Sequence, residues 1–154
     1  MPPTPPANPR EPFDPDRFIA AQEHSFPDAL RELRNGRKET HWMWYIFPQL
    51  DGLGSSSTAR HYALQNLAAA RAYLQHSVLG PRLLDCCRAL LAVRDRSAAQ
   101  IFGYPDDLKL RSSMTLFSLV PEPPPEFGQV LERYFEAKLD SRTMELLKKG
   151  RENR

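Results

Sequence analysis

Ser77-Val78-Leu79-Gly80-Pro81-Arg82-Leu83-Leu84-Asp85-Cys86-Cys87-Arg88-Ala89-Leu90-Leu91-Ala92-Val93 is the stretch that decides the fold class. Leu79, Leu83, Cys86, Leu90 and Val93 recur at three- and four-residue spacing, which puts them on one face of a helix. Pro81 is tolerated in a first turn, and Ser77 stands where a side-chain cap is wanted. The spacing predicts the central helix of an all-α core. Cys86 and Cys87 are adjacent on it, so their side chains point apart and a bridge between them would be strained. They read as free structural thiols.

Outward from that helix the same logic finds more helices and no strand. Asp14 and Pro15 open a helix carrying Phe18, Ala21 and Gln22, Phe26-Pro27 marks a bend, and Ser25 caps a second helix with Leu30 and Leu33 that Gly36 ends. A short buried helix is expected from Thr40 to Phe47, stopped by Pro48. After the break from Asp51 to Ser57, a helix starts at one of the serines and runs past Tyr62, and Asn66 caps the next. Ser97 caps a short turn closed by Gly103, Pro105 opens a helix through Leu108, Met114, Leu116 and Leu119, and Pro121 to Pro125 form a stiff spacer. Two more helices complete the chain, one carrying Phe127, Val130, Leu131, Tyr134 and Phe135, the other capped by Asp140. β-Branched residues are scarce and no alternation persists. The expectation is an irregular all-α fold of about seven to nine helices without significant sheet, in a single domain over residues 14–149. Seven of the fifteen prolines fall within residues 1 to 15, so residues 1–13 are expected to be a disordered Pro-rich tail, and residues 150–154 a second tail.

Composition narrows the function classes. The 154 residues carry a net charge of only +2, which gives no basic field of the kind that marks a nucleic-acid binder. His24, His41, His61 and His76 are scattered and no Cys-x-x-Cys accompanies them, so no metal site and no cofactor is expected. Free thiols and the lack of a membrane-length apolar run favour a cytoplasmic protein that does not engage a membrane.

Three segments hold residues with chemistry to offer. In Arg37-Lys38-Glu39-Thr40-His41-Trp42-Met43-Trp44-Tyr45-Ile46-Phe47-Pro48-Gln49, both tryptophans stand beside a histidine. Trp42 or Trp44 can stack on a flat ring, His41 titrates near neutrality, and Lys38 and Gln49 can hold ligand. The same aromatics also suit a plain core. Gly52-Leu53-Gly54-Ser55 precedes a helix, and Gly52, Gly54 and Ser55 offer backbone N–H groups and a hydroxyl to an anion. It lacks the Walker lysine and a preceding strand, and an ordinary turn accounts for it equally. In Asp106-Asp107-Leu108-Lys109-Leu110-Arg111-Ser112-Ser113, the residues Lys109, Ser112 and Ser113 share a side while Asp107 sits in the first turn; a solvated Asp–Lys pair explains this as well.

These strings, with Phe18-Ile19-Ala20-Ala21-Gln22, Glu32-Leu33-Arg34-Asn35-Gly36-Arg37-Lys38 and Met114-Thr115-Leu116-Phe117, resemble the bacterial and fungal family called domain of unknown function 1810. The resemblance runs from about residue 13 to about residue 148 and implies a helical fold of a distinct type with no settled activity. Some members carry a calpastatin label, yet nothing in this chain resembles an inhibitor repeat. A fainter similarity, of layout alone, is to the helical NADAR proteins, which act on ADP-ribosyl or phosphoribosyl N-glycosides.

The leading expectation is therefore a pocket protein, a hydrolase or a binder, for a small molecule of phosphate or nucleotide character such as an ADP-ribose-like ligand. Trp42 or Trp44 would stack, Gly52, Gly54, Ser55 and Lys109 would hold phosphate, and His41 or Asp107 would act as acid or base. The alternative is a non-catalytic module that binds a protein partner, with the aromatic segment as core. Nucleic acid held by Arg34, Arg37, Lys38 and Arg60 is the least favoured partner. The leading expectation requires the three segments to converge.

Overall fold

A computed structural model describes residues 13–152 of the chain, with side-chain environments given through residue 150. The expected tails fall largely outside the described residues, which exclude 1–12 and 153–154. At their edges, Phe13 packs on Phe18 and Tyr73, with ring centroids 6.0 Å away in each case. The last helix continues to Glu152.

Nine helices are present among the described residues: α1 (Asp16–Arg34), α2 (Met43–Ile46), α3 (Ser57–His61), α4 (Leu67–Gln75), α5 (Leu79–Ala92), α6 (Ala98–Phe102), α7 (Asp106–Ser118), α8 (Pro125–Phe135) and α9 (Ser141–Glu152). An isolated parallel bridge between Leu50 and Leu64 is the single strand-like feature among them. The fold is all-α.

Local capping chemistry sets many of the boundaries. Asn66 accepts from the Ala69 N–H at 2.9 Å. Ser97 and Gln100 form a reciprocal capping box, and Gly103 ends α6 with φ +75°. Asp140 accepts from the Thr143 N–H at 2.9 Å.

Elsewhere packing overrides the local signals. Instead of two helices split at Pro27, α1 is continuous with Pro27 inside it. Pro27 is exposed, so the carbonyl that loses its partner can turn to water, while Phe18, Gln22, Ala29, Glu32 and Leu33 stay on one buried face. Ser25 is no cap; its hydroxyl bonds the Tyr45 hydroxyl at 2.9 Å. Ser77 does not cap α5 either. His76 Nδ1 accepts from the N–H groups of Val78 and Leu79 at 3.1 and 3.3 Å and does that work instead. The helix α3 stops at His61 rather than passing Tyr62, because the chain turns there to place Leu64 against the 49–51 backbone.

The expected central helix α5 shares that position with α7. On α7 the six residues 112–117 are all buried, which no one-sided amphipathic helix shows. Three hydroxyls on α7 turn back to its own carbonyls: Ser112 to Leu108, Thr115 to Arg111 and Ser118 to Thr115. Cys86 and Cys87 are free and buried, and burial pushes both thiols above their ordinary range. No helix among the described residues is long and apolar enough to cross a membrane.

Candidate functional site

The 36–44 segment is positioned by α1. Gly36, at φ +71°, closes the helix, with its own N–H donating to Leu33 O and that of Arg37 to Glu32 O. The Lys38 N–H then donates to Ile101 O at 2.7 Å, which ties the segment to α6, one turn of chain before α7.

Glu32 organises the backbone from Glu39 to Trp42. One of its carboxylate oxygens accepts from the N–H groups of Glu39 and Thr40 at 2.6 and 2.8 Å and from the Trp42 indole at 3.0 Å. The other accepts from the Thr40 hydroxyl at 2.6 Å. Burial raises its pKa, but these four hydrogen bonds outweigh burial and bring the carboxyl down to about 2. The charge is met by neutral donors, with no cation paired to it among the described residues.

That anchoring separates the two tryptophans. Trp42 is 1% exposed, wedged between Phe47 and Phe102 with its N–H committed to Glu32. Trp44 is half-buried, and the Lys109 ammonium lies 4.2 Å from its ring centroid. On another side of that indole is the 52–54 loop, where a Cβ added at Gly54 would lie 3.4 Å from Trp44 Cη2 and 2.7 Å from the Ala59 Cβ. Gly54, Trp44 and Lys109 therefore meet.

The same surface holds a compact ion cluster. Asp106 accepts from Lys38 Nζ and Lys109 Nζ, each at 3.0 Å, and the Lys38 side chain is only 8% exposed. Lys38 Nζ also lies 5.1 Å from the Trp42 ring centroid. Burial pushes the Asp106 carboxyl up, yet the bonds from Lys109 and Lys38 prevail and hold it below its ordinary value. Two ammonium groups thus share one carboxylate. Asp107, one residue on and rotated by about 100° around the helix, pairs with neither lysine. Its Oδ1 is buried and has no hydrogen-bond partner.

Ser113 completes this face of α7, since positions 106, 109 and 113 fall on one side of the helix. It is 0% exposed, and its hydroxyl, unlike those of its helical neighbours, has no partner. A buried orphan hydroxyl is destabilising. Ser113→Ala is accordingly expected to raise the unfolding free energy by about 1 kcal/mol, measured by urea denaturation. A loss of stability would show that the hydroxyl is satisfied.

The remaining candidates are dispersed around this cluster. The His41 ring is exposed and no hydrogen bond, ion pair or ring contact joins it to the lysines among the described residues; its carbonyl accepts from the Tyr45 hydroxyl. Ser55 is exposed, Ser56 caps α3, and Ser112 bonds within α7. Gly52, at φ +101°, lies against Leu146, and Gln49 is 8% exposed. Sequence reasoning missed Glu32 and chose Asp107 over Asp106 as the acid. A carboxylate on the same helical face as Ala29 and Leu33 was the signal for the first, and the i,i+3 spacing to Lys109 for the second.

The largest concavity is elsewhere. A trough of about 760 Å³ between α4 and α9, bordered by Leu67, Arg71, Gln75, Leu119 and Leu147, contains neither lysine and neither tryptophan.

An irregular all-α domain with a half-buried, carboxylate-bridged lysine pair beside an accessible indole is the class of protein these features define. The chain belongs to the family described as protein of unknown function DUF1810, which matches residues 12–147. It is similar to the crystal structure of the conserved hypothetical protein Rv1873 from Mycobacterium tuberculosis, with 49% identity, a TM-score of 0.86, and 88% of this chain and 97% of that chain covered. No curated protein matches the chain.

Proposed function

We propose that this protein binds a small anionic ligand that carries a flat ring, of nucleotide or ADP-ribose-like character, at the surface made by Lys38, Asp106, Lys109 and Trp44. The observation that carries this is the pair of ammonium groups on one carboxylate, with Lys38 almost inaccessible and Lys109 against the indole face. An incoming phosphate takes the excess positive charge and a ring takes the Trp44 face that water now covers. Trp42 has no part in stacking, because its ring is sealed in the core.

A ligand at a hundred times its dissociation constant adds about 2.7 kcal/mol of stability. For a chain of this length that is a rise of about 5–11 °C in Tm. Thermal shift with ADP-ribose, nucleoside diphosphates and pyrophosphate is expected to find such a rise, and Lys109→Met to remove it. No shift with any of them, or an equal shift in Lys109→Met, would sink the proposal.

Hydrolysis of an N-glycosidic bond is the finer claim, and it rests on Asp107, whose uncovered carboxylate oxygen is the available base on this helix start. Asp107→Asn would then abolish turnover of an ADP-ribosyl N-glycoside while leaving the thermal shift in place. His41, exposed and unattached, is the weaker of the two acid–base candidates.

The interaction-module reading has its own observation. The α4–α9 trough continues along Leu67, Leu119 and Leu147 into an apolar hollow of about 480 Å³ beside Met144. A failed ligand screen would make that trough the better candidate for function.

A further inference from the structure

Behind Trp44 lies a narrow slot, separate from the bridged lysines. Trp44, Gln49, Leu53, Gly54 and Tyr62 line it, and its volume of about 10 Å³ is that of a single water. Gln49 is 8% exposed, yet the one hydrogen bond it accepts within the described residues is at its backbone carbonyl, from the Leu64 N–H at 2.9 Å. Its side-chain amide has no protein partner among them. A primary amide with both donor and acceptor unmet at such depth is costly unless something else meets them.

The surroundings suit a ring. Trp44 and Tyr62 bring aromatic surface to the slot, and Gly52 and Gly54 contribute backbone without side chains. A Cβ at Gly54 would crowd both Ala59 and Trp44. An amide presents an N–H donor and a carbonyl acceptor side by side, which matches a ring edge that carries an adjacent acceptor and donor. Trp44 is the one movable wall, being half-buried, with its ring held by Lys109 across the face.

We propose that the slot, widened when the Trp44 side chain rotates outward, receives a flat heteroaromatic ring whose hydrogen-bonding edge is read by the Gln49 amide. This rests on the anion-binding reading, because Trp44 is both a wall of the slot and the platform for Lys109. The ligand class becomes a heteroaromatic ring joined to a phosphate, with the ring at Gln49 and the phosphate at Lys109.

The test separates the two ends of the ligand by using a probe for each. Adenosine and nicotinamide carry a ring and no phosphate, and pyrophosphate carries phosphate and no ring. Binding is read from the tryptophan emission, for which Trp44 is the exposed reporter and Trp44→Phe the blank, and from Tm. A ring probe is expected to quench wild-type emission, and Gln49→Leu to weaken it at least tenfold while leaving pyrophosphate binding unchanged. Lys109→Met should show the reverse pattern. Pyrophosphate binding with no response to either ring probe would overturn the slot proposal and leave the anion site standing, as would ring binding that is equal in Gln49→Leu. Ring binding that depends on Gln49, with no pyrophosphate effect, would uphold the slot and remove the anion site. Gln49→Leu buries a matching apolar group, so its Tm should equal or exceed that of the wild type.

Discussion

Glu32→Ala is expected to destabilise the protein by about 3–5 kcal/mol, the range seen when a buried charged anchor is removed and its partners are stranded. Four donors, two backbone N–H groups, the Thr40 hydroxyl and the Trp42 indole, lose their acceptor together. Glu32→Gln keeps an oxygen for the three N–H donors and lets the Thr40 hydroxyl reverse, so it should cost only about 1–2 kcal/mol, the difference between charged and neutral acceptors. The pH dependence comes from the depressed carboxyl, which sits at about 2 in the fold against an ordinary 4.5. A lowered pKa means that the contribution is complete above about pH 4.5 and is lost as pH falls toward 2, and it amounts to about 3 kcal/mol. Urea titrations between pH 6 and pH 2.5 should therefore show a stability loss in the wild type that is shallower in Glu32→Gln. Parallel pH curves would contradict the assignment.

Gly80→Ala should be nearly as damaging, at about 3 kcal/mol, near the top of the usual range for overpacking. Although Gly80 lies inside α5, where alanine is ordinarily the better helix former, a Cβ there would stand 2.1 Å from the Leu74 carbonyl oxygen and 3.0 Å from its carbon. The obstructing atoms are backbone at the end of α4, so relief requires separating two packed helices. Gly128→Ala is the control: its Cβ meets nothing within 4 Å, and the substitution should gain about 0.5–1 kcal/mol. A Tm fall of about 6–12 °C for Gly80→Ala beside a rise for Gly128→Ala is the expected outcome. Equal small changes would mean that α4 and α5 are not in contact at that point.

The features legible in the sequence are those that local chemistry controls. Asn66, the Ser97–Gln100 box and the Asp140 cap are short-range hydrogen bonds between residues three apart, and the structure keeps all of them. The all-α class is carried by the spacing in α5. Pro27, Ser25 and Ser77 mislead because their signals are also local, while the outcome is set by distant packing: Tyr45 takes the Ser25 hydroxyl, and His76 displaces Ser77 at the start of α5.

The site is legible in its composition and not in its arrangement. Residue spacing does not say whether the aromatic segment and the start of α7 meet, and Lys109 over Trp44 brings them together. Which tryptophan is reachable depends on Glu32, ten residues before Trp42 and on another helix. Which aspartate meets the lysines depends on one residue of helical register, and a rotation of about 100° is beyond what pattern spacing resolves at a helix start.

The central claim is that the bridged lysines beside Trp44 form an anion site, and calorimetric titration of the best ligand from the thermal screen tests it most directly. At 50 and 300 mM salt, with wild type, Lys109→Met and Trp44→Ala, the prediction is an affinity that falls with salt and falls at least tenfold in each variant while the variants remain folded. Affinity that is indifferent to salt and the same in Lys109→Met would contradict it.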